Sequence, residues 1–383
     1  MDSRLDKDSE LMLDALRGIA ALIVLFTHGF DLAVAQAFGW DPLTNPAEWR
    51  WARAVFGNGD WCVWCFFVIS GICIHRSIAR AVATNTFRWG RYAMARITRL
   101  YPLFLLGLLL AVAAWRQGLD FGASEVKAAP WRELGASLFN LQIFTTAFPA
   151  FSPSWSLSCE VLYYVAWPLL LMLAGGKTGR ATFFASASTL GTLAMILVLW
   201  RVLQKAQSSA AVEGLWVVTA LFPLWFIGAW MSGRWESLTA GITRGRWMLG
   251  IVLFAASAVV SIVLKHQHCP GAWYNLAALS SLPGLVLILG GARHLGLSQK
   301  KVEPLCRWLS QFSYPCYILH VPLLLLVNRA AGILMPNVAA EHPFLRVGLS
   351  LGVVLALLAA FGPALERFFM AWRSRVLSGE TRA

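Results

Sequence analysis

Apolar positions gather along the 383-residue chain into long runs, and most charged positions fall between them. The runs predict helices at roughly 13–33, 61–76, 101–116, 155–174, 181–200, 215–232, 247–264, 274–292, 308–328 and 344–365. A helix rises 1.5 Å per residue, so about 20 apolar residues cross a hydrocarbon core of roughly 30 Å. The pattern predicts an all-α, polytopic membrane protein of about ten transmembrane helices. It reads as one domain over residues 1–383, with no linker, low-complexity tract or repeat. Residues 134–150 (LGASLFNLQIFTTAFPA) are apolar too, but they carry Asn140 and Gln142 and end near Pro149. This stretch is expected to be interfacial or re-entrant on the outer side, because a crossing there would invert every later loop.

Composition sharpens the class. Hydrophobic residues make up 58% of the chain and charged residues 13%, with a mean hydropathy of +0.62. Soluble domains carry about 25% charged residues. The net charge of +13 does not signal a nucleic-acid surface, because the basic residues recur between apolar runs. With the N-terminus in the cytoplasm, 22 of the 32 Lys and Arg fall on the inner side. Both termini are therefore expected in the cytoplasm, with residues 366–383 as a short basic tail. An A-x-A-like site lies in AVAQA at 33–37, but residues 1–17 hold five acids against three bases. Secretory leaders start basic, so the first helix is expected to be retained. The seven cysteines are scattered. A single CxxC (Cys62, Cys65) and the loop HQHC (His266, His268, Cys269) are weak metal signals, so no metal is expected.

Four stretches put ionisable groups where they are expensive. In LDALRGIAALIVLFTHG (13–29), Arg17 and His28 are eleven residues apart, which brings them to within about 20° on one helix face and ~16 Å apart along it. A plainer alternative has Arg17 pairing with Asp14 and His28 as an interhelical hydrogen bonder. In RITRLYP (96–102), Pro102 suits a first helical turn. Arg96 and Arg99 would then flank the helix N-terminus and form a phosphate site facing the cytoplasm, against the alternative of ordinary flanking charge. In SPSWSLSCEVLYYVAWP (152–168), Ser156, Glu160 and either Tyr163 or Tyr164 share a face, and Glu160 needs a histidine, an arginine or a hydroxyl as partner. In SYPCYILHVP (313–322), Ser313, Tyr317 and His320 share a face between two helix-bending prolines. FFVISG (66–71) reads as a close helix contact. Together these groups outline a polar route through the bilayer.

The same stretches resemble the acyltransferase-3 family of integral membrane acyltransferases, over nearly the whole chain. LDALRGIAALIVLFTH is similar to the family's first helix, with its Arg, ten residues, then His. FFVISG is similar to its FFxxSG segment, RITRLYP to RxxRxxP, SWSLSCEVLYY to WSLxxE…FY and SYPCYILH to SYxxYxxH. The resemblance implies a cytoplasmic acyl-CoA donor, typically acetyl-CoA. The acceptor would be a hydroxyl of a carbohydrate or glycoconjugate, commonly on the outer side of the inner membrane. By position, Arg17 and His28 inherit the first-helix pair, Arg96 and Arg99 the donor-binding pair, and Glu160 the acidic position. His28 is the expected general base or transient acyl carrier, and Glu160 is expected to orient or charge-stabilise it or the acceptor. Tyr163, Tyr164, Tyr317, His320 and Ser313 are secondary candidates.

Two departures matter. Val161 follows Glu160 where a second carboxylate often stands. The chain also stops about 18 residues after its last span, without the fused hydrolase-like domain of some members, so it is expected to complete transfer alone or with a periplasmic or extracellular partner. The rival reading is a secondary transporter using the His, Glu and Arg groups as a proton relay. It would call for inverted repeats, and none is detectable.

Overall fold

The computed structural model describes residues 5–39, 52, 55–57, 59–121, 130–202, 210–267, 277 and 279–379. Helices α1 (Lys7–Phe38), α2 (Gly59–Ala83) and α3 (Trp89–Arg116) form the first group. A short α4 (Trp131–Leu138) precedes α5 (Trp155–Leu173), α6 (Thr178–Val202) and α7 (Ala210–Gly233). After α8 (Trp235–Thr239) come α9 (Arg244–His266) and α10 (Leu282–Gly290). Helices α11 (Glu303–Leu334), α12 (Pro336–Glu341) and α13 (Pro343–Gly379) complete the described chain.

Among the described residues, eight helices are long and apolar enough to cross a bilayer: α1, α2, α3, α5, α7, α9, α11 and α13. The other two expected spans fall on α6 and on α10, the latter nine residues long. Helix α9 bares Leu249, Val252, Val259 and Val260, and α13 bares Leu349, Val353 and Phe361. Stripes like these belong in lipid, where exposed aliphatic surface carries no hydration cost.

Helix α1 starts at Asp6, whose carboxylate caps the Ser9 N–H at 2.9 Å. The Ser9 hydroxyl also lies 2.9 Å from the Leu289 carbonyl, which ties this end to α10. From there α1 runs through the middle of the bundle, packed mainly on α11 and also on α2 and α13. Gly18 permits the approach to α11, since a Cβ there would lie 2.8 Å from the Leu309 carbonyl oxygen. The expected close contact at FFVISG is with α7. A Cβ on Gly71 would run into the Trp225 carbonyl, and one on Gly228 into that of Val68.

Residues 134–150 form no membrane-length helix. They comprise the end of α4, a 3-10 turn at Gln142–Phe144 and irregular chain. Gln142 is buried and donates to the Ser154 carbonyl at 2.8 Å, which closes the segment over the start of α5.

One sequence expectation needs correction. Pro102 lies inside α3, which begins at Trp89, so Arg96 and Arg99 are not at a helix N-terminus. Membrane helices tolerate interior prolines, and Pro102 was therefore a poor marker of a helix start. Residues 366–379, the larger part of the expected basic tail, continue α13 as helix. Of the HQHC loop, His268 and Cys269 lie outside the described residues. Cys62 and Cys65 lie within α2 as free thiols.

Candidate active site

Two cavities lie along α1. The first, of about 140 Å³, is lined by Arg17 from α1, Arg96 and Arg99 from α3, and Glu160 and Tyr164 from α5. Ser70 of α2, Ser156 of α5 and Ser313, Tyr314 and Tyr317 of α11 add to its polar wall. The second, of about 240 Å³, is lined by His28 and Asp31 of α1, Asp60 of α2, Trp155 and again Tyr317. Val63 and Tyr317 face both cavities, so the two adjoin.

The first cavity concentrates positive charge. Three guanidiniums face it, and among the described residues Glu160 is the one carboxylate on its wall. Arg96 lies over the Tyr92 ring at 5.3 Å, and its buried Nε has no hydrogen-bond partner among the described residues. A buried donor without an acceptor is costly, and an anion would relieve it. Arg99 is tied differently. It forms a 2.5 Å ion pair with the buried Glu366 of α13 and lies over the Tyr314 ring at 5.2 Å. Glu366 was not legible in the sequence, because it falls just beyond the expected end of the last span.

Glu160 receives a directed chain of hydrogen bonds. Trp225 Nε1–H donates to Ser70 Oγ at 3.2 Å, Ser70 and Tyr164 hydroxyls lie 3.4 Å apart, and Tyr164 O–H donates to Glu160 Oε2 at 2.8 Å. Because Tyr164 gives its proton to Glu160, the Ser70 hydroxyl has its own proton free to donate to Tyr164 or to Glu160 itself, and either way the donors point toward the carboxylate. Of the partners expected for Glu160, the structure supplies a hydroxyl, that of Tyr164, and no contact with His28 is present among the described residues. Glu160 belongs to the arginine cavity, and the carboxylates that share a cavity with His28 are Asp31 and Asp60. Helical spacing places residues on a face but does not say which distant helix supplies the partner.

Tyr163 and Tyr164 divide their tasks. Tyr163 turns away from both cavities, donates to the Val218 carbonyl at 2.6 Å and stacks on Phe222 at 4.9 Å. Tyr163→Phe is expected to lower stability by about 1 kcal/mol with turnover retained, as thermal unfolding in detergent beside an acyl-transfer assay would show. A loss of turnover without a change in melting would contradict that placement.

Between the cavities, Tyr317 O–H donates to the Pro153 carbonyl at 3.1 Å and lies 2.6 Å from Ser156 Oγ. The Ser313 hydroxyl donates to the Ser310 carbonyl at 2.7 Å. His28 Nδ1 lies 2.9 Å from the Val24 carbonyl and 3.1 Å from Nε2 of the fully buried His320. Phe121 meets the His28 ring edge-on at 5.2 Å. The His28–His320 contact, spanning 292 positions, had no local sequence signal.

Eight membrane-length helices among the described residues, with adjoining arginine and histidine cavities between them, define a multi-pass membrane protein. Residues 11–362 match the family described as an acyltransferase domain, and the chain belongs to that family. It is similar to the acyltransferase MdmB of Streptomyces mycarofaciens, with 26% identity over 340 residues that cover 84% of this chain and 80% of MdmB. It is also similar to protein 2 in the picA locus of Rhizobium radiobacter, with 30% identity over 103 residues, 27% of this chain and 44% of that protein. No solved structure matches. The chain is thus a membrane acyltransferase, and the transporter alternative has no support from these relationships.

Proposed function

We propose that the enzyme moves an acyl group, acetyl in the simplest case, from cytoplasmic acyl-CoA to a hydroxyl of a carbohydrate or glycoconjugate at the outer face of a bacterial inner membrane. The observation that carries this reading is the pair of adjoining cavities, one walled by guanidiniums and one holding His28. The bias of Lys and Arg supports a cytoplasmic arginine end, and ten spans would return both termini to that side.

Arg96 and Arg99 bind phosphates of the donor, and its acyl arm extends past Arg17 toward Tyr317. The acceptor hydroxyl enters beside Asp31 and Asp60. His28 removes its proton as the oxygen attacks the thioester carbonyl. Collapse of the tetrahedral intermediate breaks the carbon–sulfur bond, and the thiolate leaves as free thiol with the proton that His28 had taken. Glu160 balances the guanidinium charge. The lipid bilayer and the acceptor are the partners of this reaction, together with any periplasmic or extracellular protein that handles the acceptor. Neither a metal nor a nucleic acid has a part in it.

Purified protein given labelled acetyl-CoA is expected to release CoA only when acceptor glycan is added. Mass comparison of surface glycans from cells with and without the protein identifies that acceptor. Acceptor-independent release, or none with any acyl-CoA, would refute the reading. Arg96→Gln is expected to raise the donor KM roughly tenfold or more and leave the acceptor KM unchanged, since a hydrogen bond to a charged group contributes about 1.5–3 kcal/mol. Arg96 is the cleaner test of the pair, because changing Arg99 also strands the Glu366 carboxylate. An Arg96→Gln enzyme with an unchanged donor KM would remove Arg96 from the donor site.

A further inference from the structure

The geometry around His28 assigns a task to His320 that rests on the reading of His28 as the base. Carbonyl oxygens only accept hydrogen bonds, so a ring nitrogen facing one must carry a proton. His320 Nδ1 lies 3.0 Å from the Cys316 carbonyl and 2.9 Å from that of Tyr317, and so it is protonated. In the neutral ring this leaves a lone pair on His320 Nε2. That lone pair faces His28 Nδ1 at 3.1 Å, and His28 Nδ1 also faces the Val24 carbonyl at 2.9 Å. Both of its neighbours accept, so the His28 proton is on Nδ1 and its lone pair is on Nε2.

We propose that His320 is a positioning residue which locks the His28 ring with Nε2 free to take the acceptor's proton, and which shares the positive charge the ring then gains through the His28 Nδ1–H to His320 Nε2 bond. The surroundings favour this. His320 is completely buried and lines neither cavity, so it acts on the reaction through its neighbours, of which His28 is the one whose side chain it meets at hydrogen-bond distance. The bond becomes charge-assisted when His28 is protonated, and such bonds are about twice as strong as neutral ones. The ring contact is close, with centroids 4.9 Å apart and planes tilted by 49°. The approach of α1 to α11 at Gly18 and the Cys316 thiol, 3.7 Å from the Ala21 carbonyl, hold the two helices in the register that this contact needs.

The test uses the full-length protein in lipid nanodiscs. His320→Leu removes the acceptor, while His320→Gln offers a side-chain oxygen close to the position of Nε2. The leucine variant is expected to lose roughly 10–100-fold in kcat with an unchanged donor KM, and the glutamine variant to recover most of that loss. With nitrogen-15 histidine, the native protein is expected to show one ring protonated on Nδ1 and coupled through that proton to a second imidazole nitrogen. The signal should vanish in His28→Ala and in both His320 variants. Native kcat in the leucine variant, or a native spectrum with His28 protonated on Nε2, would overturn the proposal. The spectrum decides even if the leucine variant does not fold. Failure of the underlying reading looks different: His28→Ala would keep its turnover while the native chain still showed the coupled pair.

Discussion

His28→Ala is expected to lower acyl transfer by roughly 10²–10⁴-fold, the range that a positioned general base contributes. The protein should remain folded, because the His28 ring faces a cavity and its loss leaves only the His320 Nε2 lone pair and the Val24 carbonyl without that donor. The carbonyl already serves the helix, so the penalty is modest. Donor binding should survive, since Arg96 and Arg99 line the other cavity. The measurement is single-turnover acyl transfer alongside donor binding in the same preparation. Turnover within a few-fold of native would exclude His28 as the base.

Gly71→Val is expected to have the opposite signature, with loss of the fold itself. The added Cβ would run into the Trp225 carbonyl, and the reciprocal contact at Gly228 prevents α7 from backing away without losing its fit. Overpacking costs typically 1–3 kcal/mol when side chains can shift. Here the obstacle is backbone, so the cost is expected at roughly 3 kcal/mol or more. Separation of α2 from α7 would also break the 3.2 Å link from Trp225 to Ser70 that begins the chain of donors to Glu160. Size-exclusion chromatography in detergent and thermal unfolding would register the change. A monodisperse variant with native melting would show that the helices have room to spare.

The sequence carried the helical class and the stripe of Arg17 and His28, because both depend on periodicity and on the cost of charge in lipid. The small-residue signal at FFVISG also pointed to a real helix contact, since Gly71 and Gly228 seat opposing backbones. Long-range partnership was the weak part. Glu160 was expected to take a histidine, an arginine or a hydroxyl and is found with the Tyr164 hydroxyl among the arginines; the contact with His320 went unread, and Asp31 and Asp60 carried no signal that singled them out. Nothing local encodes which helix faces which. The arginine pair was given a helix-terminus setting on the strength of Pro102, which an interior proline in α3 removes.

Glu366 bears on any attempt to trim the protein. The family match ends at residue 362, four positions short of the carboxylate that grips Arg99. A boundary drawn at the end of that match would leave a guanidinium of the cationic chamber without its counter-charge. The turn of α13 that carries Glu366 is therefore part of the wall that balances this charge, although it lies outside the matched span.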